Sequence, residues 1–123
     1  KYSNDLWSTH TGNPVCCAAA LAAIKVIEKK KLVEKSAKRN TWVEELLRKT
    51  FPKNEIYGRG MMWAIYTGDA GLTQKIIGKC AEKGLLLVST YGPAIKIGPP
   101  LTIPDAALRE GIQVIKESFN EIV

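Results

Sequence analysis

The chain has 123 residues, 46% of them hydrophobic, and a formal net charge of +6. That length fits one compact domain with a real core. No run approaches the ~18 consecutive apolar residues of a membrane span, and the opening Lys1-Tyr2-Ser3-Asn4-Asp5-Leu6-Trp7 lacks the apolar core of a signal peptide.

The first marked stretch is a polar turn, Ser8-Thr9-His10-Thr11-Gly12-Asn13, running into Pro14 and an Ala-rich run. Asn13 is a favoured N-cap, and Pro14 suits the first helical position because its missing N–H costs nothing there. The spacing predicts a helix over 14–30. Its first ten residues carry no charge, and a helix apolar on every side is expected to be buried. Free N–H groups and a favourable dipole at its start make a natural anion site.

A second helix is expected over 32–51, on a looser stripe of Leu32 or Val33, Ala37, Val43, Leu46 and Leu47, until Pro52-Lys53-Asn54 stops it. Ile56 to Tyr66 reads as one strand, with Gly58 and Gly60 marking a bulge or a close backbone approach. No helix follows that Gly-x-Gly, so a dinucleotide fingerprint is excluded. A third helix covers 70–83, with Leu72, Ile76, Ile77 and Cys80 on one side and Gly84 as its left-handed stop. Leu85–Val88 and Ala94–Ile97 are short enough and close enough to pair as an antiparallel hairpin. Gly98-Pro99-Pro100 ends the second of them, since proline cannot donate to a ladder. From Pro104, Leu108, Ile112, Ile115, Phe119 and Ile122 recur at spacings of four and three, the stripe of a helix that covers a sheet. The expected fold is α+β: two N-terminal helices, then a three-stranded, mainly antiparallel sheet with helices on one face.

The charge is uneven. Residues 1–53 hold 11 Lys/Arg against 5 Asp/Glu, whereas 54–123 hold 7 of each. The excess gathers at Lys25, Lys29, Lys30, Lys31, Lys35, Lys38 and Arg39. As a nucleic-acid patch it would bind with a steep salt dependence. No interleaved aromatic or nucleic-acid motif accompanies it, so solvated helix faces are the expected role. Cys16, Cys17 and Cys80 do not make the spaced pattern of a zinc site. Their odd count without framework spacing points to a reducing compartment, the cytoplasm, with all three as small core residues. His10 is the single histidine, with only Asp5 nearby in sequence to orient it. It is expected to pack in a turn. No pair of acidic residues has a convincing acid/base or metal spacing.

Four segments carry a further signal: Ser8 to Pro14 with the Ala-rich run behind it, Gly58-Arg59-Gly60-Met61-Met62, Glu82-Lys83-Gly84-Leu85-Leu86, and Ile95 to Ile103. In this order and at these separations they resemble the C-terminal part of class III aminotransferases, pyridoxal-phosphate enzymes of fold type I that include ornithine and 4-aminobutyrate aminotransferases. The resemblance covers the chain from Ser8 onward. It implies the small C-terminal domain of that fold. Residues 1–13 would form an interface turn that contacts phosphate, 14–53 helices linking large and small domains, and 54–123 the small domain itself.

The resemblance also implies roles. The residue matching Thr9 reaches across a homodimer interface to the cofactor phosphate of the other subunit, with Ser8 beside it. The position of Lys96 is in many members an Arg that grips the substrate carboxylate as a fork; a lysine offers a point charge instead. Thr11 stands where a Gly is usual. The Schiff-base lysine and the Asp that pairs with the pyridine nitrogen lie in the family's large domain, and no segment here resembles either. The resemblance therefore implies no catalytic residue in this chain and no metal. The implied partners are the remainder of a longer parent enzyme, an amino donor and a 2-oxo acid acceptor, with no nucleic acid and no membrane. Relatives that racemise, decarboxylate or eliminate phosphate with the same cofactor are the alternative.

Overall fold

The structure is a computed structural model and describes residues 12–89 and 92–123. It divides into two compact units, residues 1–33 and 34–123.

In the first unit, helix α1 spans Pro14–Lys29. Asn13 caps it as expected: its Oδ1 accepts from the Val15 N–H at 3.0 Å and the Cys16 N–H at 3.3 Å. The expected burial is absent. No residue of α1 is buried, and Val15, Leu21 and Ile24 are at least half exposed. Cys16 and Cys17 are exposed with it rather than packed in a core. Apolar composition predicts that a face will be covered; it does not say that the covering chain lies within the same 123 residues.

Helix α2 spans Leu32–Thr50. The unit that holds the sheet runs over 34–123, so it takes in most of α2 as well as the residues from 54 onward. Val43, Leu47 and Phe51 are buried in the core with the sheet. The sheet has four strands where three were expected: β1 (Ile56–Arg59), β2 (Met62–Tyr66), β3 (Val88–Ser89) and β4 (Ala94–Ile97), in the order β1-β2-β4-β3. All three pairings are antiparallel. The extra strand comes from Gly60, whose φ of +64° turns the apolar run Ile56–Tyr66 back on itself as a hairpin. The expected strand at Leu85–Val88 shrinks to Val88–Ser89, and Leu86 stands 86% exposed.

Helices α3 (Ala70–Glu82) and α4 (Asp105–Ile122) pack on each other. Asp69 caps α3, its carboxylate accepting from the Leu72 N–H at 2.6 Å. Gly84, at φ +84°, follows α3 as the left-handed stop. The α4 stripe buries Leu108, Ile112 and Ile115 against Trp63, Ile65, Ile95 and Ile97 of the sheet and Ile76 of α3. Each such side chain taken from water stabilises the fold by about 1.5–3 kcal/mol. The helices thus cover one sheet face. At the rim, Lys83, which caps the end of α3, meets Glu121 of α4 at 2.7 Å. That hydrogen bond holds the Lys83 ammonium above its usual range and the Glu121 carboxyl below it.

Cys80 is the one described cysteine that is buried. Burial pushes its thiol up, by more than neighbouring Ser118 and Lys83 pull it down. The folded chain keeps a proton there that the unfolded chain releases. Stability from this group is therefore full below the ordinary thiol range and falls as pH rises above it. Because the thiolate is the reactive form, a thiol reagent at mildly alkaline pH should modify Cys16 and Cys17 of the native chain quickly. Cys80 should react only when urea unfolds the domain. Three equal rates would show that the α3–α4 packing is wrong.

Candidate functional site

The residues at the expected phosphate contact, Thr9 and Ser8, lie outside the described residues, as does His10. The described part of that region bears on how an anion could be held. The Val15 and Cys16 N–H groups are taken by the Asn13 side chain, and the Cys17 N–H by the Asn13 carbonyl at 2.9 Å. Pro14 has no N–H. The free amides expected at the α1 start are therefore occupied by the cap itself, because an asparagine placed there competes with any anion. What the first turn of the helix still offers an anion is its dipole; hydrogen-bond donors would have to come from the residues ahead of it.

Lys96 sits on the other sheet face. Strand pairing sets Tyr57 opposite Ala64, Ala64 opposite Lys96 and Lys96 opposite Val88, one row across all four strands. Successive strand residues alternate faces, so this row shares the side away from the helices. Tyr57, Met62, Tyr66 and Val88 are exposed there. Lys96 is half-buried, and among the described residues it has no ion-pair or hydrogen-bond partner. Its stem runs along β4 past Gly98: a Cβ built on Gly98 would stand 3.8 Å from Lys96 Cε. Arg59, opposite Met62 at the end of β1, is a second cation of this face and is likewise unpartnered among the described residues. Tyr57 donates to Glu55, and that bond pushes its phenol above the usual range.

Of the basic cluster, Lys25, Lys29, Lys30, Lys31, Lys35 and Lys38 are exposed, as solvated faces should be. Arg39 departs from it. Its guanidinium donates to Leu101 O at 3.1 Å and Ile103 O at 2.9 Å, and meets Asp105 at 2.7 Å. The residue beside it, Asn40, accepts from the Gly60 N–H at 2.6 Å. No local pattern signals these contacts, since Leu101 and Ile103 lie 62 and 64 positions away.

A cavity of about 340 Å³ opens between the β3–β4 edge and α4, lined mainly by apolar side chains such as Leu85, Leu87, Ile97 and Leu108, with Lys96 at it. A second opening lies by Phe51, Leu72 and Phe119. Neither is lined by an Asp or Glu. Neither cavity therefore offers a carboxylate to pair with the nitrogen of a pyridoxal ring. No described group of three His, Cys, Asp or Glu could hold a metal ion. No described helix is long and apolar enough to cross a membrane. The arrangement offers one unpaired ammonium, able to hold a carboxylate as a point charge, on a face that the described residues leave open.

Comparison with known proteins gives this arrangement a context. The family model for class III aminotransferases matches residues 3–119. The 5-aminovalerate aminotransferase DavT of Pseudomonas aeruginosa is 37% identical over 131 residues, covering 95% of this chain and 31% of its own length. The isoleucine 2-epimerase of Lentilactobacillus buchneri is 29% identical, covering 93% of this chain and 28% of its own. Among solved structures, the ornithine aminotransferase of Toxoplasma gondii, described as having partial occupancy of PLP at its active site, superposes with a TM-score of 0.83 at 29% identity. That superposition covers 98% of this chain and 30% of the other. The chain thus spans less than a third of the length of each of these three proteins. A family match that spans nearly the whole chain means that the chain belongs to the class III aminotransferase family.

Proposed function

We propose that the chain is the C-terminal, small-domain part of a cytoplasmic, PLP-dependent fold type I enzyme. The parent transfers an amino group from an amine or amino acid to a 2-oxo acid. The observation that carries this reading is the family match from residue 3 to 119 within less than a third of the relatives' length. Two structural features support it. Helix α1 is apolar yet exposes Val15, Leu21 and Ile24, and the sheet exposes Tyr57, Met62 and Val88 on the face that bears Lys96. Exposed apolar area of this kind marks a surface built to be covered. The remainder of the parent and a second subunit are the proposed covers. Residues 1–13 would then be the interface turn, 14–53 the linking helices and 54–123 the small domain.

In this reading Thr9, with Ser8 beside it, gives the cofactor phosphate of the partner subunit a hydroxyl donor. PLP when bound supplies the electron sink for amino-group chemistry. Lys96 holds a substrate carboxylate by charge. The test is the whole parent enzyme, assayed with 5-aminovalerate and ornithine as donors and 2-oxoglutarate as acceptor. Lys96→Met should raise the KM of one carboxylate substrate about tenfold or more, as expected for losing a hydrogen bond to a charged group. Unchanged KM values for every donor and acceptor would remove Lys96 from the site.

A second reading is racemisation or epimerisation with the same cofactor. It is favoured by the isoleucine 2-epimerase relative and by a lysine where many members carry the arginine fork. Inversion at Cα of a single amino acid in the absence of a 2-oxo acid, read by chiral chromatography, would select it over amino transfer.

A further inference from the structure

Two consecutive residues of α2 grip two different loops at one end of the sheet. Pairing of Arg59 with Met62, and of Trp63 with Ile97, puts the β1–β2 turn and the exit of β4 side by side. Asn40 holds the turn through the Gly60 N–H. Arg39 holds the exit through Leu101 O, Ile103 O and the Asp105 carboxylate. Its side chain is only 17% exposed. The exit segment needs such a hold. Pro99, Pro100 and Pro104 have no N–H to donate, and Ile103 N to Pro100 O, at 3.0 Å, is the segment's own described backbone bond. A guanidinium fork can bind two carbonyls and a carboxylate together, which a single ammonium cannot do with the same fixed geometry.

That exit begins at Gly98, which lies beside the stem of Lys96. We propose that Arg39, assisted by Asn40, is a positioning residue for Lys96. By fixing the Gly98–Pro104 segment it fixes the surface along which the Lys96 stem runs. The ammonium then stands at one place above the open sheet face before any carboxylate arrives. A free lysine gives up much rotamer entropy when it is immobilised. Fixing it in advance removes part of that cost from binding. The effect should therefore fall on the affinity for a carboxylate and not on the chemical step.

This inference rests on the reading of Lys96 as the carboxylate contact, and the test separates the two. The whole parent enzyme is compared as native, Arg39→Lys, Lys96→Met and the double variant, with 5-aminovalerate and 2-oxoglutarate as probes. Arg39→Lys keeps the charge facing Asp105 but loses the fork. It should raise the KM of the same substrate that Lys96→Met affects, by about threefold to tenfold, with kcat within about twofold. In the Lys96→Met background it should add nothing to KM. Asn40→Ser should give a smaller KM rise in the same direction. The melting temperature of each variant reports whether it folds. If Lys96→Met raises KM and a folded Arg39→Lys enzyme does not, the positioning role is overturned and the Lys96 reading stands. An equal KM rise in both backgrounds, or a loss of melting temperature and kcat at unchanged KM, marks Arg39 as purely structural and also overturns the proposal. No KM change in Lys96→Met sinks the Lys96 reading and this inference with it.

Discussion

Gly58→Ala is expected to destabilise the domain by about 3 kcal/mol, the upper end of what overpacking usually costs. Gly58 pairs with Trp63 across the β1–β2 hairpin, and its missing side chain would point into the core. A Cβ there would lie 2.5 Å from Met62 O, 2.5 Å from Trp63 Cε3 and 2.6 Å from Trp63 Cδ2. Neither obstacle can yield cheaply. The Met62 carbonyl is backbone within the strand. The indole is 2% exposed and tied by its Nε1–H to Gly60 O at 2.9 Å. The glycine is required for space, since its φ is not in the left-handed region. Three kcal/mol is a large share of the roughly 5–15 kcal/mol of a typical domain. Urea unfolding of the isolated chain should show the midpoint collapse. Shrinking the indole in Gly58→Ala/Trp63→Leu should recover part of the loss relative to Trp63→Leu alone. A Gly58→Ala midpoint equal to the native one would mean that the hairpin register is wrong.

How far the sequence revealed the fold depended on the range of the forces involved. Helices announced themselves through local signals. Asn13 and Pro14 opened α1, Gly84 closed α3, and the Leu108–Ile112–Ile115 stripe of α4 reached the core as its spacing required. Gly58 and Gly60 were legible as special positions, but the sequence did not separate their tasks. One admits an indole, and the other turns the chain at positive φ. That ambiguity concealed a hairpin inside an apolar run. Leu85–Leu87 misled in the opposite sense: the run is apolar enough for a strand, yet Leu86 stands in solvent.

Features set by partners distant in the chain, or beyond it, were not legible. Arg39 looked like the last member of a solvated basic cluster because its carbonyl partners are 62 and 64 residues away. The apolar stretch of α1 predicted burial that these residues do not supply. For the proposed site, Lys96 is named from the motif around it, but its open sheet face is not, since that follows from strand register. Thr9 and Ser8 rest on the motif alone and lie outside the described residues.

The second large effect concerns the cofactor. The described cavities offer a pyridoxal ring no acidic partner, and the amides at the α1 start are already taken by Asn13. On the present account the chain contributes a hydroxyl and a cation to a site that the rest of the parent, and a second subunit, must complete. The direct measurement is to mix the isolated chain with pyridoxal phosphate, pass it through gel filtration and measure the cofactor that elutes with it. The same is done with the whole parent enzyme. The account predicts that the parent keeps its cofactor and the isolated chain elutes without it. Stoichiometric cofactor retained by the isolated chain, and lost on replacing a single one of its lysines, would contradict the account.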